Sequence, residues 1–155
     1  MASASSITTA LSASAEQALD VKARADGLNL TRVMLEAPQL AQDIQKLSVT
    51  IRGAVLTEAP SWSEDDQKKV VADANTFIKA ERQLLSALIE KAATIRVVGD
   101  VFAAPLAQAT RMLEDVSSNV LLGIEKLTPA CGADLKQGVD DLRADFKRVD
   151  TVYSG

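Results

Sequence analysis

Residues 63–97, SEDDQKKVVADANTFIKAERQLLSALIEKAATIRV, decide the fold. Their apolar positions (Val70, Val71, Ala74, Phe77, Ile78, Leu84, Leu85, Leu88, Ile89, Ala92 and Ile95) recur on a 3.6-residue repeat, so the stretch reads as one helix from about Glu64 to Val97. Ser63 offers an N-cap hydroxyl, and Glu64, Asp65 and Asp66 put negative charge on the helix N-terminus, where the backbone dipole favours it. The apolar arc is wide, as expected of a helix near the centre of a bundle that touches several neighbours at once.

One residue breaks that arc. On a helical wheel Glu81 sits at its middle, flanked by Ala74, Phe77, Ile78, Leu84, Leu85 and Leu88. A carboxylate buried there costs several kcal/mol unless it is paired, hydrogen-bonded or protonated. Either the helix is rotated so that Glu81 reaches water, or Glu81 borders an interior that holds polar atoms or a ligand head group.

Four more helices extend outward from this one. The first carries Ile7, Leu11, Ala18, Val21, Ala25 and Leu28 on one side, with Ser14 interrupting the stripe. Ser5 or Ser6 is its expected cap, residues 1–5 an expected disordered tail, and Asp26-Gly27-Leu28-Asn29 its closing turn. The second is expected to start near Ala37-Pro38, to present Leu40, Ile44, Leu47, Ile51 and Val55, and to close before Ala59-Pro60. Gly99 ends the long helix, and Asp100 is the expected cap of a fourth bearing Phe102, Leu106, Ala109, Leu113, Val116, Val120, Ile124 and Leu127. Pro105 falls in its first turns, where it either delays the start or kinks the helix. After Thr128-Pro129 the last helix carries Leu135, Val139, Leu142, Phe146, Val149 and Tyr153, stepping by fours and threes. Short connections favour antiparallel neighbours. The expected fold is therefore all-α: one domain over residues 1–155, a five-helix antiparallel bundle with a long central third helix and an internal apolar cavity.

Composition agrees and removes most chemistry. At 155 residues the chain is long enough for one real core. Aromatics are 3% of residues against 47% apolar, so the interior is built mainly from Ala, Val and Leu, which fill a five-helix centre less completely than large rings. Histidine is absent and Cys131 is the single cysteine, which excludes His-based triads, His-pair zinc sites, CxxC redox centres and an internal disulfide. No Gly-rich phosphate cradle or G-x-S-x-G elbow occurs. No catalytic residue, metal or cofactor is expected. The formal charge of −4, with basic residues scattered among acids, gives no footprint for nucleic acid. No stretch approaches the eighteen or so apolar residues of a membrane-spanning helix.

The opening Ile7-Thr8-Thr9-Ala10-Leu11, the long helix through Phe77-Ile78 and Leu84-Leu85-Ser86-Ala87-Leu88-Ile89-Glu90-Lys91, and the Leu135 to Tyr153 seam together resemble the hydrophobic surface-binding protein A family of fungi, which includes cell-wall galactomannoproteins. The likeness covers nearly the whole chain as a pattern of apolar spacing and segment length. It implies a secreted or cell-wall helical domain whose leader is not part of this sequence. Some members of that family adsorb to hydrophobic surfaces and recruit hydrolases; others enclose a long-chain fatty acid in a tunnel between five helices, which is linked to sequestering host lipid signals. Asn29-Leu30-Thr31 is a glycosylation sequon in a turn, in keeping with such a location. Cys131 is expected to be a small buried hydrophobe.

The expected function is non-catalytic binding of a long-chain fatty acid or similar lipid by a monomer. The acyl chain would lie against Leu11 of the first helix, Ile44, Leu47 and Ile51 of the second, and Phe77, Ile78, Leu85 and Leu88 of the third. Leu113, Val116 and Val120 of the fourth and Leu142 and Phe146 of the fifth complete the lining, with Ser14, Glu81 and Ser117 as polar candidates for its head. Two alternatives remain open: a surface-active adaptor that lays apolar faces on a hydrophobic surface, and a packed helical domain whose partner is another protein.

Overall fold

The computed structural model describes residues 3–54 and 61–154. It contains α1 (Ala4–Asp26), α2 (Val33–Arg52), α3 (Glu64–Val97), α4 (Asp100–Leu127), a 3₁₀ turn (Pro129–Cys131) and α5 (Gly132–Ser154), with no strand among the described residues. The all-α reading holds, and the bounds of α3 are those its periodicity gives.

Three helix starts differ from expectation, each for a local reason. α1 is capped by Ser3, whose Oγ accepts from the Ser6 amide at 3.1 Å, so Ala4 and Ser5 are helical instead of part of a tail. α2 starts at Val33, ahead of Ala37-Pro38. Asn29 nucleates it: its Oδ1 accepts from the Arg32 amide at 3.0 Å and its carbonyl accepts from the Val33 amide at 2.9 Å. Val33 and Ala37 are then buried before Pro38 is reached, and Pro38 sits inside the helix at the cost of the bond an N–H there would make to Met34. Asp100 is the first residue of α4 and not its cap. Gly99 takes the cap position with φ +108° and ψ 167°, a region open in practice only to glycine, so the chain reverses in one residue. α4 runs through Pro105 without a later start.

The other capping expectation is met, since Ser63 Oγ accepts from the Asp66 amide at 3.1 Å at the head of α3. α2 ends at Arg52, where the Gly53 amide bonds to the Thr50 carbonyl at 3.1 Å; Val55 and Ala59-Pro60 lie outside the described residues.

Sequence neighbours run antiparallel, as Arg24 to Asp43 (2.8 Å) and Gln17 to Thr50 (2.6 Å) show for α1 and α2, and Arg111 to Asp150 (2.7 Å) for α4 with α5. The most extensive packing is nevertheless between helices running the same way. α3 lies along α1 and along α5, with Lys91 Nζ on the Leu28 carbonyl (2.9 Å), Arg82 on Asp145 (2.7 Å) and Tyr153 Oη on the Leu88 carbonyl (2.6 Å). Because α2 packs on α4 and on α1, the helices close a ring in the order α1, α3, α5, α4, α2. The apolar stripe of each faces the middle. Leu11, Ile44, Phe77, Leu88, Leu113 and Phe146, drawn from all five helices, are each at most 2% exposed, as is Leu142; Ile78 and Val116 are also buried. The long α3 touches every other helix, as its wide arc requires.

Candidate functional site

Hydroxyls inside helices ordinarily bond to the carbonyl one turn back. Ser14 does so, donating to Ala10 at 2.7 Å, and Ser48, Thr110 and Thr128 do the same to Ile44, Leu106 and Ile124 at 3.2, 2.6 and 2.8 Å. All four are buried and self-satisfied. Ser14 is therefore a satisfied core hydroxyl.

Ser117 departs from this rule. It is 0% exposed on α4, and its Oγ donates across the interior to Glu81 Oε1 of α3 at 2.8 Å. Glu81 is also 0% exposed, so the helix is not rotated to bring it to water. Its second oxygen, Oε2, is buried and has no hydrogen-bond partner among the described residues. Burial pushes the carboxyl up to about 8, with the Ser117 hydrogen bond acting in the opposite direction. Near neutral pH Glu81 is thus chiefly the uncharged acid. When Glu81 holds its proton and Ser117 donates to Oε1, the proton falls to Oε2, which then offers an O–H donor inside an apolar interior.

The neighbouring cation does not serve this group. Arg82 points outward, its Nε on Asp145 at 2.7 Å and a terminal nitrogen 3.5 Å from Asp141, with Arg148 3.8 Å from Asp145. That cluster braces α3 against α5 and was not singled out from the sequence. The signal for it was the pair Asp141 and Asp145, one turn apart on α5, opposite a basic position on α3.

Clefts of about 450 and 480 Å³ run along the α3–α5 and α4–α5 seams, and clefts of about 420 and 180 Å³ lie along α1–α3 and α1–α2. None of these is lined by Glu81, Ser117 or Ser14. Of the apolar side chains expected to line a tunnel, Ile78 borders the first and Phe146 the second. These clefts lie at helix seams, while Leu11, Ile44, Leu47, Ile51, Leu85, Leu88, Leu113, Val120 and Leu142 are buried in one apolar cluster inside the ring. Asn29 is exposed in the α1–α2 turn, and Cys131 is buried, 8% exposed, in the 3₁₀ turn. No helix among the described residues is long and apolar enough to cross a membrane.

No family model matches the chain, and no curated protein matches it in sequence. Among solved structures, the crystal structure of AfMP4p in complex with palmitic acid is similar to it, with a TM-score of 0.75 over 97% of this chain and 99% of that chain, at 15% sequence identity. The likeness defines the class at the level of the fold: a five-helix all-α domain, shared from end to end with AfMP4p.

Proposed function

We propose that this chain is a non-catalytic carrier of a long-chain fatty acid or similar lipid, held between its helices, and that it belongs with the hydrophobic surface-binding protein A and cell-wall galactomannoprotein group its sequence resembles. One observation carries the reading: Glu81 Oε2 is a buried polar atom left without a partner in the middle of an apolar ring. Native interiors leave few such atoms, and each calls for an explanation. A ligand oxygen would satisfy it. The end-to-end likeness to a protein crystallised with palmitic acid supports the same ligand class.

Burying an acyl chain gains roughly 0.8 kcal/mol per methylene, enough to outweigh the cost of ordering the lipid. The interior side chains are buried in one apolar cluster, and the acyl chain enters it by parting neighbouring helices, which makes the loaded form wider. Secretion to the cell wall is part of the same proposal, with the exposed Asn29 as the glycan acceptor; its Oδ1 caps the turn at 3.0 Å and leaves Nδ2 for the sugar. Native mass spectrometry of the delipidated protein with palmitic acid tests the reading. A discrete one-lipid adduct is expected, and the bare mass alone at saturating lipid would refute it.

A second reading has its own observation. Leu30, Met34 and Leu35, exposed by 60–83%, flank the start of α2, and Val97 (73%) and Val101 (80%) flank Gly99. The Lys91 to Leu28 bond puts the α1–α2 turn beside the last turns of α3, so both groups crown one end of the ring. Such an end suits adsorption to a hydrophobic surface. Binding would then scale with interfacial area and ignore chain length.

A further inference from the structure

We infer that the Glu81–Ser117 pair anchors the head of a neutral single-chain lipid, Glu81 Oε2 donating to an alcohol oxygen, an ester carbonyl or the carbonyl of an un-ionised acid, and that it does not cradle a carboxylate ion. The inference rests on the acyl-binding reading and specifies the head group that the same interior selects.

The argument is one of donors and charges. A buried carboxylate needs a cation or several N–H donors around it. This interior supplies neither. The Ser117 proton is already given to Glu81 Oε1 at 2.8 Å. The hydroxyls of Ser14, Ser48 and Thr110 are given to their own helices. Amides in the middle of α3 and α4 are engaged in helical bonds. Arg82, the nearest cation in sequence, is held on the outside by Asp145 and Asp141, and Lys79 lines the outer α3–α5 cleft. No ion pair among the described residues involves Glu81. Among the described residues two buried side-chain polar atoms have no partner, Glu81 Oε2 and the indole Nε1 of Trp62. Trp62 precedes the first turn of α3, about 25 Å of helix from Glu81, so Oε2 is the one unused donor in the middle of α3 and α4. One donor without a cation matches one neutral acceptor oxygen. A fatty acid would enter as its acid, pairing its carbonyl with Oε2 and its own hydroxyl with the free lone pair of Oε1.

The test is displacement of a fluorescent acyl probe from the whole delipidated chain at pH 7, using hexadecane, hexadecanol, methyl palmitate and palmitate. Hexadecanol should gain about ten-fold over hexadecane in the wild-type protein relative to the same ratio in Glu81→Leu. Methyl palmitate should bind at least about ten-fold more tightly than palmitate, which must first take up a proton. Glu81→Gln keeps a donor and an acceptor at this place and should retain the alcohol preference. An alcohol-to-alkane ratio equal in wild type and Glu81→Leu would overturn the inference, as would palmitate binding more tightly than its methyl ester. Hexadecane binding without head-group preference removes this inference alone, whereas failure of every ligand and of the probe removes the acyl-binding reading beneath it.

Discussion

Ser117 Oγ lies 2.8 Å from Glu81 Oε1, a hydrogen bond that joins α3 to α4 through the apolar middle of the ring while the other carboxyl oxygen stays unpaired. The pair is a stability liability kept where a leucine would pack. That asymmetry shapes the expectations for the folded chain.

Glu81→Leu should stabilise the protein by about 1–3 kcal/mol, because it removes a buried, half-satisfied acid and fills the site with apolar atoms. Ser117 can then turn back to the carbonyl of Leu113, as the other buried hydroxyls do on their own helices. Urea unfolding at pH 7 checks this, and a lower midpoint in the variant would contradict it.

The pH dependence has a defined sign. Glu81 titrates near its ordinary 4.5 when unfolded and near 8 when folded, so the folded chain holds its proton longer. The contribution is fully present below pH 4.5, falls as pH rises toward 8, and levels off above it. The wild type should lose a few kcal/mol over that window relative to Glu81→Gln, which cannot titrate there. Parallel stability curves for the two proteins would refute the assignment.

Gly99→Ala should cost about 1–3 kcal/mol. No atom lies within 4 Å of an added Cβ, so the loss comes from φ +108° alone and not from a clash. A thermal midpoint unchanged from wild type would show that the α3–α4 turn relaxes to another conformation.

Arg82→Met should destabilise by no more than about 1 kcal/mol, since the Arg82 side chain is 45% exposed and its pairs with Asp145 and Asp141 are screened by solvent. The difference from wild type should shrink with added salt in unfolding measurements. A larger, salt-insensitive loss would mean that the cluster supports α5 through packing.

Much of this was legible in the sequence because the signals are local or periodic. The span of α3 followed from its stripe and from Ser63. The same stripe put Glu81 among Phe77, Leu84 and Leu88 but left open whether the helix was rotated to bring it to water, which its 0% exposure decides. The starts of α1 and α2 were misplaced because caps compete: Ser3 was as able as Ser5 or Ser6, and the side chain and carbonyl of Asn29 outweighed the preference of Pro38 for a first turn. The partner of Ser117 was not legible. Its register opposite Glu81 depends on how α3 and α4 cross in three dimensions, and by local rules the hydroxyl should have stayed on its own helix, as that of Ser14 does. Nor can apolar spacing tell a packed middle from a tunnel, because a packed stripe and a tunnel-lining stripe have the same period.

The central claim is that an acyl chain lies among the helices and not on them, and methyl NMR of the delipidated protein titrated with palmitic acid tests it most directly. The account predicts large shifts or slow exchange at interior methyls such as those of Leu88, Leu113 and Leu142, with Ser117 and Glu81 resonances moving alongside. Shifts confined to the exposed Leu30, Leu35, Val97 and Val101, with the interior unmoved at saturation, would contradict it.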